Sequence, residues 1–91
     1  MRDRTLRPAP DVIVRAVADE LVLLDLERGT YYGLDPVGAR IWELIAAGVS
    51  TAGVVERLLA EYEVTREELE RDVEALVGEL EARGLVGPGA E

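Results

Sequence analysis

The segment RGTYYGLDPVGARIW, residues 28–42, contains the point at which the chain changes from predicted strands to predicted helices. Gly29 favours a turn, because glycine adopts a positive φ at little cost. Thr30–Leu34 follows as a strand of β-branched and aromatic residues. Asp35 can then cap a helix, and Pro36 suits the first helical position because its N–H is not needed there. The segment therefore predicts a sheet that precedes the helices.

Two further strands are predicted before this segment. Val12–Ala18 is rich in β-branched residues, and Leu21–Leu26 is largely apolar. Asp19 and Glu20 can form a tight link between them, so we expect the three strands to form an antiparallel meander. One face of the second strand is predicted to carry Val22, Leu24 and Leu26.

Three helices are predicted after the strands, each with apolar residues at helical spacing. The first is expected to end at Gly48, and Ser50 or Thr51 is expected to cap the second. The third begins at a capping box, in which Thr65 and Glu68 satisfy each other's backbone N–H groups. The sequence thus gives start signals for every helix.

The order of the elements predicts an α+β fold that is winged helix-turn-helix-like, with a three-stranded antiparallel N-terminal sheet followed by three helices. The chain has 91 residues, enough for one domain. We expect this domain over residues 11–86. Residues 1–10, which contain Pro8 and Pro10, are expected to form a flexible arm, and residues 87–91 a flexible tail.

The composition argues against catalysis by this chain. There is no cysteine and no histidine, and all ten basic residues are arginines. Ser50 is the only serine, and without a histidine or lysine it has no base to activate it. No glycine-rich phosphate loop and no regularly spaced acidic loop for Mg²⁺ or Ca²⁺ occurs. We therefore expect a protein that is not an enzyme, with no catalytic residue, no metal and no cofactor.

The charge of the chain also argues against nucleic acid and membranes as partners. The formal net charge is −9, and the third predicted helix, residues 66–83, holds three arginines and seven acidic residues. A helix of this charge would be repelled by phosphate, although a winged-helix DNA-binding regulator stays an alternative. No apolar run is long enough to span a membrane, and no secretory signal is present. The expected location is the cytoplasm.

The strand Thr30–Leu34 is expected to lie at the edge of the sheet, without the charge or proline that usually protects an edge. Its two tyrosines point to opposite faces, and Gly33 would allow another backbone to approach closely. An extended peptide could therefore add here as a further strand. Leu34 and Trp42 are expected in the core, whereas Tyr31 and the strand backbone are expected to contact the peptide.

These patterns resemble the PqqD family over most of the chain, from about Val12 to Val86. The residues that carry the resemblance are Leu23-Leu24-Asp25-Leu26, Gly29-Thr30-Tyr31-Tyr32-Gly33-Leu34-Asp35, Gly38-Ala39-Arg40-Ile41-Trp42, Tyr62, Arg71-Asp72-Val73, Leu80 and Gly84-Leu85-Val86. Asp35 departs from the asparagine that is common in the family, but both residues can cap a helix.

The resemblance implies a precursor-peptide recognition element (RRE), a non-catalytic module that binds the leader peptide of a ribosomally made precursor. In that family the leader binds as an extra strand against the third strand, in a cleft beside the third helix. Asp72 and Glu79 could meet basic leader residues there. The candidate peptide-binding residues are Thr30, Tyr31, Tyr32, Gly33, Leu34, Asp72, Val73, Leu76, Glu79 and Arg83.

The family contains two stand-alone kinds that fit this chain. The lasso-peptide kind hands the leader to a cysteine-protease-like leader peptidase, with an asparagine-synthetase-like cyclase acting downstream. Leaders of that kind commonly use a tyrosine and a proline as anchors, which need an apolar notch. The other kind is the pyrroloquinoline quinone chaperone, which presents its precursor to a radical SAM enzyme. The tyrosine-rich edge and the short chain favour the lasso kind, and a purely structural subunit that docks to an enzyme through the same edge stays a further alternative.

Overall fold

The structure, a computed structural model, describes residues 1–89. Its elements, in chain order, are β1 (Leu6–Pro8), β2 (Val12–Val17), β3 (Glu20–Asp25), β4 (Thr30–Leu34), α1 (Pro36–Ala46), α2 (Thr51–Glu61), α3 (Arg66–Ala82) and β5 (Val86–Pro88). The predicted α+β class is confirmed, with the three-stranded sheet β2–β4 followed by three helices. No helix within these residues has the length and apolar character that crossing a membrane requires.

Strands β2, β3 and β4 form the predicted antiparallel meander, with β3 in the centre. The link between β2 and β3 is Ala18-Asp19, one residue earlier than predicted, because Val17 pairs directly with Glu20. Ala18 has a φ of 56°, the left-handed value that a two-residue hairpin requires at its first position. Gly29 has a φ of 69° and closes the second hairpin, as its position in the sequence predicts.

The buried face of β3 is the opposite of the face singled out from the sequence. Leu23 and Asp25 are buried, whereas Leu26 lies after the end of β3 and is 70% exposed. Every second residue of a strand shares a face, so Val22 and Leu24 point away from the helices. The sequence was ambiguous here because apolar residues occupy both faces. Asp25 is buried because its carboxylate accepts hydrogen bonds from the backbone N–H groups of residues 27 and 28.

Each helix begins at the residue that the sequence indicates. The side chain of Asp35 accepts a hydrogen bond from Gly38 N (2.8 Å), and Pro36 is the first residue of α1. Ser50, rather than Thr51, caps α2. Thr65 accepts from the backbone N–H of the third helical residue of α3 (3.1 Å), which is one of the two hydrogen bonds of a capping box.

The core has two adjoining clusters of buried side chains. One joins α1, α2 and α3 and includes Leu44, Leu58 and Val73. The other lies between the β2–β4 sheet and the helices and includes Leu34 and Trp42, the two side chains expected in the core. Leu76 is half-buried and packs against both clusters. Helices α1 and α3 therefore both contribute side chains to the two clusters.

The structure corrects the expected arm and tail. Leu6–Pro8 forms strand β1, which pairs antiparallel with Val86–Pro88 of β5, and Leu6 is buried against the helices. A three-residue strand bounded by prolines is too short to give an alternating pattern, so its pairing could not be predicted from the sequence. Residues 90–91, the end of the expected tail, lie outside the described residues.

Candidate functional site

Strand β4 lies at one edge of its sheet, as predicted. It pairs with β3 on one side, and no other strand within residues 1–89 pairs with its second side. An edge of this kind presents backbone N–H and C=O groups that another extended chain can bind.

The register of the sheet identifies which groups are free. In a two-residue hairpin the closing pair, here Val17 and Glu20, exchanges both backbone hydrogen bonds. Because such pairs alternate along an antiparallel ladder, the odd-numbered residues of β3 turn their backbone groups toward β4. Tyr32 therefore bonds to β3, while the N–H and C=O groups of Tyr31 and Gly33 point away from the sheet. The free edge thus offers two residues spaced as a further strand requires.

A hollow of about 410 Å³ lies beside this edge, between β4, the start of α1 and the middle of α3. Its lining residues are Tyr32, Gly33, Leu34, Asp35, Val37, Gly38, Ile41, Asp72 and Leu76. Leu34 and Ile41 are buried and form an apolar floor. An extended chain added to β4 would place alternate side chains directly over this hollow. We call the hollow and the adjoining free edge of β4 the groove.

The two tyrosines of β4 have different surroundings. Tyr31 is 71% exposed and lies on the face of the sheet that points away from the helices. Tyr32 is half-buried on the groove side, where the guanidinium carbon of Arg83 lies 4.9 Å from the centroid of its ring, a cation–π contact. A side chain at Gly33 would meet only the carboxylate of Glu20, 4.0 Å from the position of a Cβ atom, so glycine keeps the edge open without being required by packing.

The polar residues of α3 divide between the two ends of the groove. Asp72 lines the hollow, whereas Glu79 accepts a hydrogen bond from Nε of Arg83 (3.4 Å), one helical turn further on. Of the two acids expected to meet basic leader residues, Asp72 lies in the groove and Glu79 is engaged by the neighbouring arginine.

The structure brings together in the hollow five of the ten residues that the sequence singled out. Those that line the hollow are Tyr32, Gly33, Leu34, Asp72 and Leu76. Val73 has no exposed area and packs between the helices, which corrects its expected place in the cleft wall because a peptide at the surface cannot reach it. Thr30 is half-buried, and its hydroxyl has no hydrogen-bond partner among residues 1–89.

Sequence reasoning missed the contribution of α1. Val37 and Ile41 are four residues apart, so they lie on one face of the helix, and the cap residue Asp35 stands beside them. The signal was present in the sequence, since a helix that starts directly after β4 must begin next to the same edge.

The model of the PqqD family, coenzyme PQQ synthesis protein D, matches residues 20–86. The chain belongs to the PqqD family. This match covers β3, β4, all three helices and the first residue of β5, and so includes every residue that lines the groove. The resemblance noted in the sequence is thereby confirmed.

Two solved structures are similar to this PqqD-family chain over nearly its whole length. TbiB1 in complex with the TbiA(beta) leader peptide is 38% identical, with a TM-score of 0.84 over 93% of this chain and 99% of that one. Lasso peptide synthetase B1 complexed with the leader peptide is 37% identical, with a TM-score of 0.85 over 92% and 99% of the two chains. No curated protein sequence is significantly similar to the chain.

Proposed function

We propose that this protein is a non-catalytic RRE that binds the leader segment of a ribosomally made precursor peptide as a fourth strand on β4. The observation that carries the proposal is the free edge at Tyr31 and Gly33, which stands directly beside a hollow with an apolar floor. Both similar structures named above are complexes with a leader peptide, which supports the same use of this fold.

The proposed mechanism is capture followed by presentation. A disordered leader loses conformational entropy when it adopts one extended shape, and the interaction must exceed that cost. Backbone hydrogen bonds to Tyr31 and Gly33 supply register but no selectivity. Selectivity comes from an apolar leader side chain that enters the hollow over Leu34 and Ile41.

A lasso-peptide precursor is the favoured substrate, since one of the similar structures is named lasso peptide synthetase B1. A precursor of pyrroloquinoline quinone is the alternative, because the family takes its name from synthesis of that cofactor. The two are distinguished by which leader the protein binds and by which enzyme then acts on it, a leader peptidase or a radical SAM enzyme.

The outer face of the sheet is the surface proposed for the enzyme that receives the leader. Tyr31 and Val17 are among the most exposed large apolar residues within residues 1–89, and both lie on this face. An added leader strand would extend the same face, so an enzyme docked there would touch the protein and its peptide together. We propose the cysteine-protease-like leader peptidase as this partner, with the cyclase acting on the released peptide.

The first test is fluorescence polarisation with a labelled leader from the precursor gene beside this one. We expect saturable binding at micromolar concentration or tighter. Gly33→Pro should abolish it, since proline removes an N–H that faces the peptide and not β3. Ala16→Pro is the matched control, because it removes an outward N–H from β2, at the opposite edge of the same sheet.

Circular dichroism must show that both proline variants stay folded. Equal losses in the two variants would contradict binding at β4. Failure of the folded wild type to bind any leader encoded nearby would overturn the proposed function. Tight binding to an enzyme without affinity for a peptide would instead favour the structural-subunit alternative.

A further inference from the structure

The groove carries opposite charges at its two ends. Asp35 and Asp72 lie at the end where β4 finishes, on facing sides of the hollow. Arg83 lies at the other end, over the ring of Tyr32. Arg28 lies beside it, and its guanidinium donates a hydrogen bond to the backbone oxygen of Arg83 (3.4 Å).

These charged groups have bonding capacity left for a ligand. Asp72 takes part in no ion pair within residues 1–89, and Asp35 uses only one carboxylate oxygen, for the cap of α1. Arg83 bonds to Glu79 through Nε, so its two terminal nitrogens have no acceptor among the described residues. A guanidinium can donate through all of its five N–H groups.

The direction in which a peptide strand adds to β4 decides which end of the peptide meets which charged end of the groove. Both existing strand pairs of the sheet are antiparallel, and sheets of a single type are favoured over mixed ones. An antiparallel peptide on β4 begins near Asp35 and runs toward Thr30. Side chains that face the groove then come from every second residue of the peptide.

We propose that the groove reads the order of charges in its peptide, with a basic side chain on the N-terminal side of the buried anchor and an acidic one on the C-terminal side. The basic side chain lies over the apolar wall of the hollow and places its cation between Asp35 and Asp72. The acidic side chain accepts hydrogen bonds from the free nitrogens of Arg83. This inference rests on the proposed function and specifies which leaders the groove accepts.

Each of the two ion pairs is exposed to solvent, so each contributes modestly. Pairs of this kind change an affinity by about twofold to fivefold and weaken as salt rises. The charge order therefore selects among peptides that already fit the edge and the hollow. It also disfavours the reversed orientation of a peptide, in which each charged side chain would lie beside a group of the same charge.

The test is a selection from a library of short random peptides displayed on mRNA, carried out in parallel on four proteins. These are the wild type, Gly33→Pro, a reversed-charge variant with Asp72→Lys, Glu79→Lys and Arg83→Glu, and the control Glu74→Lys. Glu79→Lys is included so that the pair with position 83 is kept with its signs exchanged. Glu74 lies on the same helix but lines a different hollow, beside Met1 and Glu81.

Peptides retained by the wild type and by Glu74→Lys, but not by Gly33→Pro, should be enriched in a basic residue before an apolar anchor and an acidic residue after it. In the reversed-charge variant Asp35 is unchanged and offsets Asp72→Lys, so this variant should lose the preference for a basic residue before the anchor and should favour a basic residue after it. Synthetic peptides of the two orders should differ in affinity for the wild type by about fivefold or more at low salt, and the variant should prefer the opposite order by a smaller factor.

Two negative outcomes are distinguishable. This inference would be overturned if the peptides that depend on Gly33 showed no charge order, or if they showed the same order in the wild type and in the reversed-charge variant. Either outcome would still be consistent with binding of the peptide as a strand on β4. A selection that retains no peptide dependent on Gly33 would contradict the proposed function itself, and with it the inference about charge order.

Discussion

The two edges of the β2–β4 sheet share one backbone chemistry but differ in what surrounds them. Both present outward N–H and C=O groups at alternate residues. On β2 the guanidinium of Arg15 donates to the outward carbonyl of Val14 (3.1 Å), and the strand is exposed toward its end. On β4 the outward groups of Gly33 have no partner within the described part of the chain, and α1 and α3 form a hollow beside them.

This difference teaches that an open strand edge is not by itself a binding site. Backbone hydrogen bonds are the same for every peptide, so an isolated edge would bind any extended chain weakly and without selectivity. β4 gains selectivity from neighbours that come later in the chain, because Asp35 and Pro36 start α1 directly after the strand. The charged residue on β2 has the opposite effect and discourages pairing.

The largest effect that tests this comparison is on stability. Leu34 of β4 is 2% exposed and Val17 of β2 is 57% exposed. Leu34→Ala should lower the free energy of unfolding by about 2–5 kcal/mol, whereas Val17→Ala should change it by less than about 0.5 kcal/mol. Urea denaturation followed by circular dichroism measures both. Equal costs would mean that β4 is not held on the core as described.

Amide hydrogen exchange sharpens the comparison at the level of single residues. In the free protein the amides of Tyr31 and Gly33 should exchange quickly, and that of Tyr32 slowly, because only Tyr32 bonds to β3. A leader at 100 times its Kd should slow the amides it bonds to by up to about a hundredfold. The amides of Val14 and Ala16, on the other edge, should not change. Protection of both edges would contradict addition at β4 alone.

Much of this site could be predicted from the sequence, because its determinants are local. The strand Thr30–Leu34, its edge position and the caps at Asp35 and Thr65 follow from residues that are neighbours in the chain. What could not be predicted depends on packing between distant segments. Val73 falls on the same side of α3 as Leu69 and Val77, and only the position of α2 decides that it is buried.

The pairing of β1 with β5 is the second such case. It joins segments about 80 residues apart, as in Leu6 with Pro88, and neither strand is long enough to show a pattern of its own. The buried face of β3 is a third case, since both of its faces are apolar and only the position of the helices distinguishes them.

A smaller effect is expected from the exposed face of the sheet. Tyr31→Ser removes an aromatic ring from the face proposed for the leader peptidase but leaves its backbone groups in place. Leader affinity should fall by about threefold or less, whereas cleavage of the bound precursor by the peptidase should slow by about tenfold. Val17→Ser is the companion variant on the same face, and it should affect cleavage alone. Cleavage rates and polarisation curves, measured together, separate the two roles.

The smallest effect concerns a contact that belongs to neither edge. Arg4, just before β1, donates two hydrogen bonds to the carboxylate of Glu81 on α3, at 2.8 and 3.0 Å. The hydrogen bonds from Arg4 hold the pKa of Glu81 below its usual value. Because the folded state lowers this pKa, the pair stabilises the protein fully at pH values above the pKa of an unfolded glutamate, about 4.3. This contribution is lost as the pH falls through the lower pKa of the folded state.

Glu81→Gln should therefore lower the free energy of unfolding near neutral pH and cost progressively less as pH falls below about 4. Both side chains are about one-third exposed, 33% and 36%, so solvent screening limits the difference to about 1 kcal/mol or less. Glu63→Gln, an exposed change outside any ion pair within residues 1–89, is the matched control. Leader affinity at neutral pH should be the same in all three proteins, because the Arg4 contact lies on the side of α3 away from the groove. A loss of affinity in Glu81→Gln would mean that the β1–β5 pair and the groove are coupled through α3, and that the peptide's binding energy is not set at the groove alone.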